Sequence, residues 1–233
     1  MRFTRILALC TTFTISGSIR SIATLAIGYN RGMEKLRHEV IRLFRAGSHA
    51  AHDEKHALRV AALARYIAEK EQYDTHEAEV AGLLHDMGRT VQKEEKNHGP
   101  AGVPLASKLL DTYTDFDDAA KKRILAAIHD HSQLKTEGKL THIVQDADML
   151  DGLGAVGLMR AYTSKAHLPD YNPDDVAPTK GRRDTNIHDQ IAFQMEWLDF
   201  MHTQTGRRIA QKRYDFMRGF LHTFEQEVNG EDL

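Results

Sequence analysis

The stretch THEAEVAGLLHDMGR, residues 75–89, holds a helix start, an apolar face and a polar pair in close succession. Thr75 is a good N-cap, Glu77 and Glu79 place acidic charge in the first turn, and Gly88 ends the helix after about Asp86. Val80, Ala81 and Leu84 form its core-facing stripe, and His85 follows them directly. The same three- and four-residue spacing recurs in both directions. Toward the N-terminus it runs through Leu36, Val40, Ile41 and Phe44, then through Val60, Leu63, Ala64 and Ile67. Toward the C-terminus it takes Ile124, Leu125 and Ile128 within residues 117–131, and then Leu140, Ile143, Val144, Ala147 and Leu150. Two further helices pass through Ile187, Ile191, Met195 and Leu198, and through Ile209, Phe216, Phe220 and Phe224. No segment sustains a period-two alternation, so the expected class is all-α, with residues 169–178 a loop inside one domain. Gly152, Gly154 and Gly157 follow no strand; they suit close helix packing rather than a phosphate loop.

A chain of 233 residues, 41% hydrophobic and 27% charged, is long enough to bury one sizeable core. Its net charge of −2 lacks the basic surplus that draws proteins to nucleic-acid polymers, but suits a small anionic ligand. The single cysteine, Cys10, excludes an internal disulfide framework and a cysteine-rich zinc site, which fits a reducing, cytoplasmic setting. Residues 1–32 read apart from the rest. Arg2 and Arg5 precede a short apolar run from Ile6 to Ile15, too broken to form a stable membrane span and without a convincing cleavage site. The expected division is therefore an N-terminal extension over 1–32, read as a signal-like, a disordered or a mis-started segment, one helical domain over 33–228 and a tail over 229–233. No feature of the sequence sets an oligomeric state.

Four polar residues stand on the apolar stripes of separate helices: His56, the pair His85 and Asp86, and Asp146. A charged or polar group on a core-facing stripe costs several kcal/mol unless it is paired or bound to a cation. One shared cation satisfies all four. Imidazole and carboxylate donors without thiolates suit a catalytic divalent ion that keeps positions open for water and substrate: Mn²⁺ first, with Mg²⁺, Co²⁺, Ni²⁺, Fe²⁺ or Zn²⁺ as others. Asp148 and Asp151 flank Asp146 and read as capping or hydrogen-bonding groups, and the pair His52 and Asp53 carries little weight because it precedes the helix. Arg160 reads equally as a substrate contact and as an ion-pair partner.

His56, LLHDMGR around His85 and Asp86, and VQDADMLDGLGAVGLMR around Asp146 together resemble the H…HD…D signature of the HD-domain metal-dependent phosphohydrolases. With KNHGPAG at His98 and AAIHDHS at His129 and His131, the chain is similar to small bacterial HD hydrolases that include nucleoside triphosphate pyrophosphohydrolases. The resemblance implies a single HD-domain helical bundle with His56, His85, Asp86 and Asp146 as metal ligands. It further implies that His98 and His131 lie beside them to hold a second metal or the substrate phosphates, His131 being preferred to His129. Some members carry a catalytic carboxylate three positions after the His-Asp pair; here that position is Arg89, which reads as a phosphate clamp with Lys93 as a second cation. The expected substrate is a small phosphorylated compound, with nucleotides favoured, and activity should fall below about pH 6 as the histidines protonate. The competing expectations are an HD-type di-iron oxygenase and a non-catalytic metal or nucleotide sensor.

Overall fold

The computed structural model describes residues 18–47, 52–92, 97–133, 135–174, 176–177 and 181–233. Among them no strand is present, and the order is α1 (Ser18–Ala46), α2 (Glu54–Lys70), α3 (Thr75–Leu84), a 3-10 turn (Met87–Thr90), α4 (His98–Tyr113), α5 (Asp118–Asp130), α6 (Lys139–Asp151), α7 (Gly154–Ser164), α8 (Ile187–Met195), a second 3-10 turn (Glu196–Phe200) and α9 (Gln204–Asn229). The all-α class stands. Helix α1 crosses the expected boundary at Met33 without a break, and Met33 is buried with Leu36, Val40 and Phe44. The apolar run from Ile6 to Ile15 lies outside the described residues. No helix among the described residues is long and apolar enough to cross a membrane.

Helix α2 forms the central seam, packed against α3 on one side and α6 on the other. The α2 and α3 axes approach closely at Gly82, where a β-carbon would stand 3.0 Å from that of Ala64 and 3.1 Å from the Ala61 backbone. Helix α5 closes over α3 and α6, α4 packs on α5 and on the 3-10 turn, and α9 lies along α7 and α6. The polar ends of α2, α3, α5 and α6 thus converge on one region.

Several details depart from the sequence reading: α3 ends at Leu84 and Gly88 lies inside the following 3-10 turn, and α8 gives way to a 3-10 turn after Met195. The N-cap of α3 is Asp74 rather than Thr75, since its carboxylate accepts the backbone N–H groups of His76 and Glu77 at 2.8 and 2.9 Å. The buried face of α9 is Thr205, Gly206, Ala210, Met217 and Leu221, while Phe216 is 52% exposed. Small and aliphatic side chains fill the tight seam, and the Phe216 ring is left outside it.

Gly88 fits where no other residue can. A β-carbon there would overlap the carbonyl of His98, because the 3-10 turn lies directly on the start of α4. We expect Gly88→Ala to cost about 1–3 kcal/mol or more by overpacking, read as a fall of about 2–4 °C in Tm per kcal/mol. An unchanged Tm would show that α4 can move away freely.

Candidate metal centre

Asp53 caps α2, accepting the N–H of His56 at 2.9 Å, so the first turn of α2 turns His56 inward with no exposed surface. The His56 Nδ1 meets Asp151 Oδ2 at 2.8 Å, and that carboxylate is itself held by Arg59 (2.6 and 2.9 Å) and Arg160 (2.9 Å). His85 ends α3 with its Nδ1 2.8 Å from the Gly82 carbonyl oxygen. A carbonyl can only accept, so Nδ1 of His85 carries the proton and its Nε2 presents a lone pair. His131 is fixed in the same way by the Ile128 carbonyl at 2.7 Å. These second contacts orient imidazoles as they are oriented at metal sites.

The presented nitrogens meet carboxylates. His56 Nε2 lies 3.2 Å from His85 Nε2, 3.5 Å from Asp86 Oδ2 and 3.3 Å from Asp148 Oδ1. His85 Nε2 lies 3.5 and 3.8 Å from the same two oxygens. Donors about 2.1 Å from one ion stand about 3.0–3.4 Å apart at octahedral to tetrahedral angles. His56 Nε2, His85 Nε2 and Asp148 Oδ1 therefore stand at spacings that fit a single divalent cation after a small contraction, with Asp86 Oδ2 at 3.5 Å from both nitrogens. A second group adjoins the first through the other oxygen of the same carboxylate: Asp86 Oδ1 is 3.3 Å from His98 Nε2 and 3.7 Å from His131 Nε2, and these two nitrogens are 2.9 Å apart.

The charges fit a cation as well. Burial opposes ionisation of Asp86, but His85, His52 and His131 outweigh it and hold the carboxyl well below its usual range. Asp148 is likewise held down against its burial by His56 and His85, and Asp151 is lowered to about 2 against its burial by His56 and Arg59. Burial pulls His56 down, yet contacts with Asp148, Asp151 and Asp86 raise it to about 10, so without metal it carries a proton among three carboxylates. His85 is driven by burial to about 4 and stays neutral. The cluster holds one proton where a doubly charged ion would balance it better.

The structure brings together His56, His85, Asp86, His98 and His131, but not Asp146. Asp146 Oδ1 accepts the N–H of His202 at 2.8 Å, while Oδ2 accepts the N–H and hydroxyl of Thr203 at 2.8 and 2.6 Å. Thr203 is the N-cap of α9, so Asp146 anchors the start of that helix, and Gly206 leaves it room, since a β-carbon there would overlap Oδ2. Asp148 stands in the cluster instead. Two positions along a helix turn the side chain by about 200°, so only one of the pair can face the histidines. His52 was also missed: its Nδ1 is 2.6 Å from Asp86 Oδ2. The only signal was its four-residue spacing from His56, and α2 starts too late to place both on one stripe. Arg89 lies beside the cluster, its Nε donating to Asp86 Oδ1 at 2.9 Å, whereas His129 pairs with Asp130 on the surface. Arg160 is an ion-pair partner of Asp151, and Lys93 lies outside the described residues. Gly152 and Gly157 do serve close packing: β-carbons there would overlap the Trp197 ring and the Gly152 carbonyl.

Comparison with known proteins agrees with this arrangement. The family model described as the HD domain matches residues 54–153, the segment from the start of α2 to the end of α6. The Bacillus subtilis protein YpgQ is 31% identical over 196 residues, covering 78% of this chain and 87% of that one. Its crystal structure in complex with ADP superposes with a TM-score of 0.68 at 26% identity, over 88% of this chain and all of the other. An HD-superfamily hydrolase from Bacillus thuringiensis superposes with a TM-score of 0.69 at 26% identity, over 86% of this chain and 98% of the other.

Proposed function

Because this chain belongs to the HD-domain family and is a metal-dependent phosphohydrolase, we propose that it cleaves a small nucleotide, releasing pyrophosphate from a nucleoside triphosphate. The observation that carries the reading is the approach of His56 Nε2 and His85 Nε2 to each other, to Asp86 Oδ2 and to Asp148 Oδ1, all at 3.2–3.8 Å. These four hold the divalent ion, with Asp148 in the place expected for Asp146. The nucleotide assignment draws support from YpgQ, which was crystallised with ADP.

When bound, the ion lowers the pKa of a coordinated water from about 15.7 toward neutrality and neutralises phosphoryl charge. The chain supplies the rest. Asp148 is the one of the four with substantial side-chain exposure, 32%, and accepts a hydrogen bond that orients the attacking water. His131, raised by Asp86 against the downward pull of burial, donates to a phosphoryl oxygen together with His98, or the two hold a second cation that shares Asp86. Arg89, held at Asp86, offsets charge on the transferring group.

A screen of nucleoside triphosphates, diphosphates, monophosphates and a phosphodiester with Mn²⁺, Mg²⁺, Co²⁺ and Ni²⁺ tests the proposal. Pyrophosphate release from triphosphates, strongest with Mn²⁺, is the expected result, and inertness toward every phosphate ester would overturn it. The pH dependence follows from His56. A group raised to about 10 is protonated at neutral pH, so metal must displace that proton. Mn²⁺ binding at pH 7 is expected to release about one proton, and affinity to rise up to about tenfold per pH unit below pH 10. Calorimetry in buffers of different ionisation enthalpy measures both, and pH-independent affinity would contradict the role given to His56.

A further inference from the structure

A cavity of about 340 Å³ adjoins the metal centre, its lining including His131 and Asp148 as well as an aromatic wall. The wall comes from Phe193 on α8 and from Trp197 and Phe200 on the 3-10 turn that follows. Their spacing of four and three residues puts them on one face of the continuous helical run, distinct from the Ile187, Ile191 and Met195 face that is buried in the core. We propose that Phe193, Trp197 and Phe200 stack the base of a nucleotide whose phosphates lie at His131 and Asp148, and that the Glu196 carboxylate favours bases presenting N–H donors. The inference rests on the nucleotide reading above and names the recognition that reading lacks.

Three observations carry it. Phe200 lines the cavity with 53% of its surface exposed, so its ring is open to a ligand there. Trp197 lies against the bare backbone of Gly152, where any β-carbon would overlap its ring, and Gly152 caps the helix that bears Asp148. The indole is thereby held at a set distance from the metal centre. Finally, Glu196 lines the same cavity, with its Oε1 accepting the Gly181 N–H at 3.1 Å. A carboxylate beside an aromatic wall repels phosphate and accepts N–H groups, so a nucleotide enters with its base toward α8 and its charge toward the cations. The volume is near the lower end for small-molecule pockets, about 300–1,000 Å³, and suits a nucleoside. Guanine offers two adjacent N–H donors to a carboxylate. Uracil flanks its one N–H with carbonyl oxygens that a carboxylate repels.

The full-length chain is assayed with Mn²⁺ on GTP, UTP and inorganic tripolyphosphate, which has no base. Trp197 is the only tryptophan, so its fluorescence also reports occupancy without turnover. GDP is expected to quench it and pyrophosphate to leave it unchanged. Base stacking on an aromatic ring implies a rise in KM for GTP of roughly ten- to a hundredfold in Trp197→Ala, with kcat little altered. Trp197→Phe restores the KM, which separates stacking from misfolding, and Glu196→Gln lowers the GTP to UTP ratio of kcat/KM. Equal kcat/KM for GTP and tripolyphosphate, or equal quenching by GDP and pyrophosphate, would overturn the base site while leaving the phosphohydrolase intact. Quenching by GDP alone, in a protein that cleaves no phosphate bond, would retain the base site and remove the proposed reaction.

Discussion

Asp148→Ala is expected to abolish hydrolysis and metal binding together, whereas Asp146→Ala keeps the metal and lowers the stability of the fold. Asp148 supplies one of four converging donors and faces both His56 and His85. Metal-ion catalysis contributes several kcal/mol to transition-state stabilisation, so turnover should drop about a thousandfold or more, at 1.36 kcal/mol per tenfold. Asp146 instead satisfies the backbone N–H groups of His202 and Thr203 and the Thr203 hydroxyl. Its loss leaves three donors without their acceptor at the start of α9, a cost of about 2–4 kcal/mol once partial access to water is allowed for. Metal stoichiometry by plasma emission, paired with thermal unfolding, separates the two variants. A metal-free Asp146→Ala protein that unfolds like the parent would return the ligand role to Asp146.

Asp86→Asn is expected to be as severe and to disable both halves of the centre, because one carboxylate serves both. Oδ2 faces His52, His56 and His85, and Oδ1 faces Arg89, His98 and His131. The amide keeps the shape but loses the charge that draws a cation, so activity falls by at least about a thousandfold and excess Mn²⁺ does not restore it. Removing this charge also lowers His131 and His56 from their raised positions, which histidine titration by NMR would detect. The sign of the stability change follows from linkage. The Asp86 carboxyl is held below its unfolded value, so its ionised form stabilises the fold above about pH 4 and that contribution fades as pH falls further. The metal-free variant should therefore be less stable than the parent at pH 7, with the gap closing in acid. A gap that widened in acid would contradict the charge assignment.

Much of the architecture was legible because helices with one buried stripe advertise it at three- and four-residue spacing. The stripes through Val60 and Ile67, Ile124 and Ile128, and Ile143 and Leu150 lie in helices buried as expected. The α9 stripe was misjudged because hydrophobic size, rather than fit to a tight seam, guided the choice of Phe216 over Met217. Helices α4 and α7 leave no clear apolar stripe in the sequence. Pro104 interrupts the first, and the glycines of the second blur its period.

The amino-acid sequence by itself determined the all-helical class and the presence of His56, His85 and Asp86 on core-facing surfaces, because polar groups on apolar stripes are conspicuous and costly without partners. It also supplied His98 and His131 through their resemblance to a family pattern. Only the tertiary structure places Asp148, rather than Asp146, beside the histidines. Apolar residues cover most sides of α6, with Ile143, Val144, Ala147 and Leu150 all buried, so periodicity leaves its rotational phase open. The docking of α9 resolves it: the unpaired N–H groups at His202 and Thr203 claim Asp146, and the opposite face of the same helix turns Asp148 toward the histidines.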